Sequence, residues 1–336
     1  MQFVRCRSSS STESRVLCGV PQGSVLGCIL FVLYTADLVQ LVERHNLHPH
    51  LYADDTQVYG ACSPSTYNQL QERVTACLED VAIWMRANRL QLNAAKTEVL
   101  WCASSRRQHQ IPVTLLHVGS DAVYPASSIR DLGIYLDCDV SMKTHVSKTV
   151  SCCFAILRQI RSIRRSVTRS VATLLVVALV LSRLDYGNAT LAGLPGAQLD
   201  RLQSVLNAAA RLVYSSRKYD HITPILSELH WLRAPQRIEY KLAALTFRCM
   251  NGLAPQYLAD DFQRVADIDS RRRLRSGLTN RLVEPCSRRV TLGGRAFHAA
   301  AARVWNSLSS IVTSSVSLSS FKRVLKTELY TRSYPA

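Results

Sequence analysis

Residues 51–60 read LYADDTQVYG and set two aspartates, Asp54 and Asp55, side by side. Adjacent carboxylates repel, so the pair needs a reason. One is a solvated turn, because Asp tolerates backbone angles that most residues avoid. The other is a seat for a hard divalent cation, which takes carboxylate oxygens as ligands. Apolar and polar residues alternate on each side of the pair over residues 50–59, the pattern of a β-hairpin with the aspartates at or beside its turn. A hairpin tip holds two side chains near one point. Pairs of Mg2+ ions clamped between carboxylates and a triphosphate drive in-line phosphoryl transfer in polymerases. Taken alone, the pair reads first as a turn, with the metal site as the alternative.

Other reactive residue types are less pointed. His45, His48 and His50 cluster before the pair, but Glu43 is the one carboxylate close by and no cysteine stands at ligand spacing. A loop leading into the hairpin accounts for them better than a zinc site. The turn Gly19-Val-Pro-Gln-Gly-Ser24 is glycine-rich but lacks the spacing and the Gly-Lys-Ser/Thr ending of a phosphate-binding loop. No Ser-His-Asp or Cys-His set stands out. Arg158, Arg161 and Arg165 share one helix face by their spacing, which suits either a nucleic-acid backbone or plain solvent.

The elements that must position these groups are of two kinds. Residues 15–26 read as a strand running into the glycine turn, and the apolar run from Val25 to Leu38 as a helix. Ser63-Pro64 is a helix start, and Leu70, Val74, Cys77, Leu78, Val81 and Met85 follow as one apolar stripe. Residues 97–102 read as a strand, and residues 129–136 as another around Gly133. The first 140 residues are therefore α+β. After residue 141 the strand signal fades, and 142–165, 168–184, 197–215 and 235–251 read as helices. Beyond 252 the chain reads as irregular, with Arg271, Arg272, Arg273 and Arg275 in a basic loop before a last amphipathic helix from Ser319 to Tyr330.

Bulk properties narrow the class. The chain has 336 residues, 47% apolar and 19% charged, which excludes a disordered chain and leaves room for two or three domains. Val171 to Leu181 reads as the longest apolar-rich run. It is bounded by Arg169 and Arg183 and is too short to span a bilayer, so no membrane partner is expected. Met1 is not followed by a secretory signal. Eleven cysteines, an odd number without a CxxC, read as reduced thiols that mostly fill core. The net charge of +17 is uneven. Residues 1–140 carry 11 Lys/Arg and 13 Asp/Glu, whereas residues 141–336 carry 30 and 11. The second part is suited to face a polyanion, or simply to stay in solution.

The order of the motifs decides between these readings. Gly19-Val-Pro-Gln-Gly-Ser-Val-Leu-Gly27, then Tyr52-Ala-Asp-Asp55, then Leu92-Asn93 with Lys96-Thr97, then Asp131-Leu-Gly133 together resemble the palm of reverse transcriptases, in particular those of non-LTR, LINE-type (jockey-like) retrotransposons. Leu179 to Asn188, Ala208 to Val213, Ile225 to Leu232, Phe297 to Leu308 and Ser319 to Lys322 resemble that family's thumb and tail, so the likeness covers residues 15–330. It implies an α+β fold: a partial palm, an antiparallel sheet with helices, at 15–140; a helical thumb at 141–255; and a basic C-terminal region with a terminal helix at 256–336. It implies an RNA-directed DNA polymerase acting through Mg2+ (or Mn2+) on an RNA template, a DNA primer and deoxynucleoside triphosphates. The family's target-primed mechanism would place it in the nucleus.

The resemblance also implies roles. Asp54 and Asp55 would bind metal, and Lys96 would act near the pyrophosphate or else be a surface lysine. Pro21, Gln22, Gly23, Ser24 and Tyr52 would line template and nucleotide, with Leu132 and Gly133 in the strand pair that grips the primer. Arg158, Arg161 and Arg165 would track the duplex backbone. One departure stands out: polymerases of this kind need a third carboxylate from an earlier palm strand, and Glu13 is the sole acid among the 18 residues before Gly19. The expectation is a palm truncated at its N-terminus, without fingers and inactive alone. The alternative is a non-catalytic nucleic-acid-binding remnant that uses the basic thumb and tail.

Overall fold

The computed structural model describes residues 3, 5–6, 9–15, 24–111, 113–118, 121–268, 280–285 and 293–335, and the chain divides into the units Met1–Ser127 and Ser128–Ala336. The first unit begins with the short pair β1 (Arg5–Cys6) and β2 (Ser9–Ser10). It continues through α1 (Val25–Tyr34), α2 (Asp37–Arg44), the hairpin β3 (His48–Tyr52) to β4 (Asp55–Tyr59), α3 (Tyr67–Ala87) and the hairpin β5 (Leu116–Val118) to β6 (Asp121–Val123).

Helix α3 starts where the sequence predicts. Ser63 and Thr66 bond reciprocally around a 3-10 turn at Pro64–Thr66, which satisfies backbone donors that a helix start leaves open. Its stripe of Leu70, Cys77 and Val81 packs with Leu38 and Val42 of α2 and with Leu47. Strand side chains alternate between faces. Leu51 and Val58 of the β3–β4 hairpin therefore reach this core, while Asp54 and Asp55 stay exposed.

Three expectations for this unit need correction. Residues 97–102 form no strand; they make a single parallel bridge, Val99 to Pro125, because strand propensity needs a neighbouring ladder to become a strand. Among the described residues the antiparallel strands form separate two-stranded hairpins rather than one continuous sheet. The run Val25–Arg44, not Val171 to Leu181, is long and apolar enough to cross a membrane by length and composition. Its second half, α2, buries Leu38 and Val42 in the core, whereas α1 buries no residue at all.

The second unit opens with the hairpin β7 (Ser128–Asp131) to β8 (Ile134–Asp137). Helices follow: α4 (Lys143–Ile163), α5 (Arg169–Val176), α6 (Ser182–Asp185), α7 (Gly196–Tyr214), α8 (Ile222–Glu228), α9 (Ala234–Met250), α10 (Gln256–Ala259), α11 (Phe297–Asn306), α12 (Ser310–Thr313) and α13 (Leu318–Ser333). A π turn at Val177–Leu181 joins α5 to α6. The apolar stripe of α4, from Val146 to Ile160, packs on that of α7, from Leu202 to Val213. Ile134 and Leu136 of β8 pack on the same core, so the division of the chain falls before the β7–β8 hairpin rather than near residue 140.

The described residues after 252 include more helix than the sequence suggests. Phe321 of α13 stacks on Phe247 of α9 at 4.4 Å and on Trp305 of α11 at 5.8 Å between ring centroids. Tyr330 and Tyr334 donate to the carbonyls of Ser227 and Trp231 at 3.0 and 2.6 Å. Arg271, Arg272, Arg273 and Arg275 lie outside the described residues. The cysteines are less buried than expected: Cys77, Cys153 and Cys249 are in the core, but the other five described ones are exposed or half-buried.

Candidate functional site

The tip of the β3–β4 hairpin carries the aspartates. Tyr52 pairs with Asp55 in register, leaving Ala53 and Asp54 as a two-residue turn. Ala53 sits at φ 53°, a left-handed conformation that tight hairpins require and that alanine adopts at a cost. Asp54 thus stands on the turn and Asp55 begins the outgoing strand. Both are exposed, and neither joins an ion pair among the described residues. Tyr52 is exposed beside them.

Two carboxylates suit one hard cation whose remaining positions are filled by water. They do not make a two-ion clamp, and no group of three or more His, Cys, Asp or Glu side chains able to hold a metal occurs among the described residues. The histidines are not a loop before the hairpin. His48 and His50 are part of β3, and the His48 ring meets that of Tyr59 in a tilted contact, 5.4 Å between centroids. His45 pairs with Asp80 at 2.9 Å.

The other expected site residues are dispersed. Ser24 is the N-cap position of α1, though its side chain makes no capping bond; Pro21, Gln22 and Gly23 lie outside the described residues. Lys96 closes an exposed 3-10 turn, Ala94–Lys96, and no hydrogen bond or ion pair joins it to the aspartates. Leu132 and Gly133, at φ 43° and 85°, form the turn of the β7–β8 hairpin in the second unit. Glycine suits this left-handed position, and a Cβ there would also press on the ring of Tyr186 at 3.1 Å. The Tyr186 hydroxyl donates to the Leu132 carbonyl, tying this turn to the chain after α6.

Arg158 and Arg161 are exposed on α4, and Arg165 is exposed in the 3-10 turn that follows it. Sequence reasoning passed over their neighbour Arg164. Its guanidinium donates to the carbonyls of Leu212 and Val213 at 3.0 and 2.8 Å and to that of Val167 at 3.1 Å. It thereby satisfies the end of α7. Nothing in the spacing separates Arg164 from its neighbours, because its partners are 48 and 49 residues away.

The first unit thus presents an exposed aspartate hairpin backed by helices, and the second is helical and rich in basic residues. Residues 1–136 match the family described as reverse transcriptase (RNA-dependent DNA polymerase). Two curated relatives of Drosophila melanogaster are similar to it. The probable RNA-directed DNA polymerase from transposon BS is 31% identical over 166 residues, covering 47% of this chain and 18% of that one. The corresponding protein from transposon X-element is 31% identical over 150 residues, covering 43% and 15%. The chain spans less than a fifth of the length of these relatives. No solved structure matches. Residues 1–136 are thus similar to part of a transposon reverse transcriptase.

Proposed function

We propose that this chain contributes the metal-binding hairpin and the nucleic-acid-holding surfaces of an RNA-directed DNA polymerase, and that by itself it does not polymerise. The observation that carries this reading is the position of Asp54 and Asp55 at the turn of β3–β4, inside the residues matched to the reverse transcriptase family. Asp54 would ligate Mg2+ (or Mn2+), and Asp55 would add negative charge at the primer end. When bound, the ion would neutralise charge developing on the triphosphate. Holding a second ion there would take a third carboxylate beside the pair. Ser24, Tyr52, Leu132 and Gly133, with Pro21, Gln22 and Gly23, would line template, primer and nucleotide, and Lys96 would stand near the leaving pyrophosphate. The hairpin unit is then the palm, and the helices from α4 onward the thumb and tail.

Two measurements test it. Mn2+ should broaden the NMR signals of residues around the β3–β4 turn, and Asp54→Ala should remove that effect. Primer extension on an RNA template should be absent with this chain and Mg2+. Extension that survives Asp54→Ala would show that the pair does not carry the chemistry.

A second reading, binding without catalysis, is favoured by the charge of the second half and by the exposure of Arg158, Arg161 and Arg165. It predicts affinity for single-stranded RNA that falls steeply with salt, and no loss of affinity in Asp54→Ala.

A further inference from the structure

The Leu132–Gly133 turn of the β7–β8 hairpin has a geometry that its own sequence opposes. Both residues are left-handed, at φ 43° and 85°. Two-residue turns of this kind draw Asn-Gly or Asp-Gly. Leucine is disfavoured at the first position, because its Cβ crowds the following carbonyl. Contacts from outside the hairpin must therefore hold the turn.

Tyr186 supplies them. Its hydroxyl donates to the Leu132 carbonyl, and its ring fills the space over Gly133, 3.1 Å from where a Cβ would stand. Tyr186 is itself fixed from both sides in the chain. Before it, Arg237 of α9 grips the Asp185 carboxylate with a terminal nitrogen and with Nε, the latter at 2.8 Å from Oδ1. The buried Asn188 donates to the same Oδ1 at 3.3 Å. After it, Gly187 at φ 63° lies so close to β8 that a Cβ would come within 2.5 Å of Ile134 Cδ1. Yet Tyr186 is 55% exposed. A hydroxyl at the surface adds little to the core. What it does is local: it sets where the Leu132 carbonyl and Gly133 stand.

We infer that Tyr186 is a positioning residue for the primer end. It anchors the Leu132–Gly133 turn to α6 and, through Asp185 and Arg237, to α9. The inference rests on the reading that sets Leu132 and Gly133 against the primer. It adds a residue 54 positions beyond the turn, which acts through the turn rather than on the substrate.

The test uses the full chain and Tyr186→Phe, which keeps the ring over Gly133 and removes only the hydroxyl. Two readouts are needed. The Gly133 N–H belongs to the peptide whose carbonyl receives the bond. In chains labelled with 15N-glycine, its signal should move and its order parameter fall in the variant. Binding is followed by fluorescence anisotropy on two probes. One is a DNA primer annealed to an RNA template with a recessed 3′ end. The other is the same hybrid with that end closed into a loop. Wild type should prefer the recessed end. Tyr186→Phe should weaken binding to the recessed end by about fivefold, the scale of one lost hydrogen bond, and leave the looped hybrid as it was. Circular dichroism establishes that the variant folds.

An unmoved Gly133 signal would overturn the inference, and so would recessed-end binding that survives Tyr186→Phe intact. Equal weakening of both hybrids would also overturn it, because a general loss is not positioning. A wild-type chain that binds both hybrids equally, or neither, would instead sink the primer reading of the turn, and the inference with it.

Discussion

Gly187→Ala probes how the β7–β8 hairpin is held to the helical unit. Gly187 sits at φ 63° directly after Tyr186. A Cβ there would lie 2.5 Å from Ile134 Cδ1 and 3.0 Å from its Cγ1. Left-handed backbone costs a non-glycine residue about 1–2 kcal/mol. Crowding a packed side chain adds about 1–3 kcal/mol, toward the lower end here because Cδ1 is a terminal methyl that can swing aside. The sum is about 2–4 kcal/mol, or roughly a 5–12 °C fall in melting temperature for a unit of this size. Gly252→Ala is the matched control: Gly252 has φ 66° and nothing within 4 Å of its Cβ position, so it carries the backbone cost alone. Thermal unfolding of the full chain, read at 222 nm, should show Gly187→Ala as the more damaging by about 1 kcal/mol or more. Ile134→Val in the Gly187→Ala background should recover part of the difference. Equal effects of the two alanines, or no recovery with Ile134→Val, would refute the close packing of hairpin on helix.

Arg164→Met should destabilise the second unit by about 2–3 kcal/mol, since it strips the carbonyls of Leu212 and Val213 of their donor; denaturant midpoints with an unchanged slope would check it. His145 is 4% exposed, and its Nδ1 accepts from the Tyr135 backbone N–H. Burial pushes its pKa below the usual histidine value, while Asp137 pulls the other way. Below about pH 6.5 the unfolded chain takes up a proton that the folded one resists. Stability should therefore fall from pH 6.5 downward until the folded-state pKa is passed, and His145→Gln should flatten that slope in melts taken from pH 7.5 to 5. Reversing Arg158 and Arg161 to Glu should lower the logarithmic salt slope of single-stranded RNA binding by roughly 0.7 for each phosphate that is no longer neutralised. An unchanged slope would return both arginines to the role of a solvated helix face.

The helices were the most legible part of the fold, for a physical reason. Stripes such as Val146 to Ile160 repeat over about four turns, and each residue reports the same buried face. Hairpins repeat too few times. The β3–β4 pair was readable because alternation runs for five residues on each side, whereas β5–β6, with three residues per strand, offered no period. Tertiary assignments were the least legible. The aromatic stack of Phe247, Phe321 and Trp305 joins residues far apart in the chain, and no local pattern announces it. The aspartate pair was visible as residue types, yet its meaning came from the order of motifs around it rather than from its own geometry.

The two units treat their apolar surface differently, and this bears on how the chain works. The second unit buries long stripes from α4, α7, α9 and α13 in two continuous clusters, enough core to hold exposed arginines in place. The first unit has a small core of α2, α3 and the β3–β4 hairpin, and α1 leaves Val25, Leu26, Ile29, Val32 and Leu33 exposed. Burying such side chains is worth about 1.5–3 kcal/mol each, so a helix of this kind is stabilised by whatever covers it. Asp54 and Asp55 project from that same lightly packed unit. Metal ligands must be fixed to a fraction of an ångström, and this hairpin reaches the core through the half-buried Leu51 and Val58. Whatever covers α1 would add packing to the unit that carries the aspartates. Burial of α1 by a partner should therefore raise Mn2+ affinity at the β3–β4 turn, and unchanged affinity would separate the two.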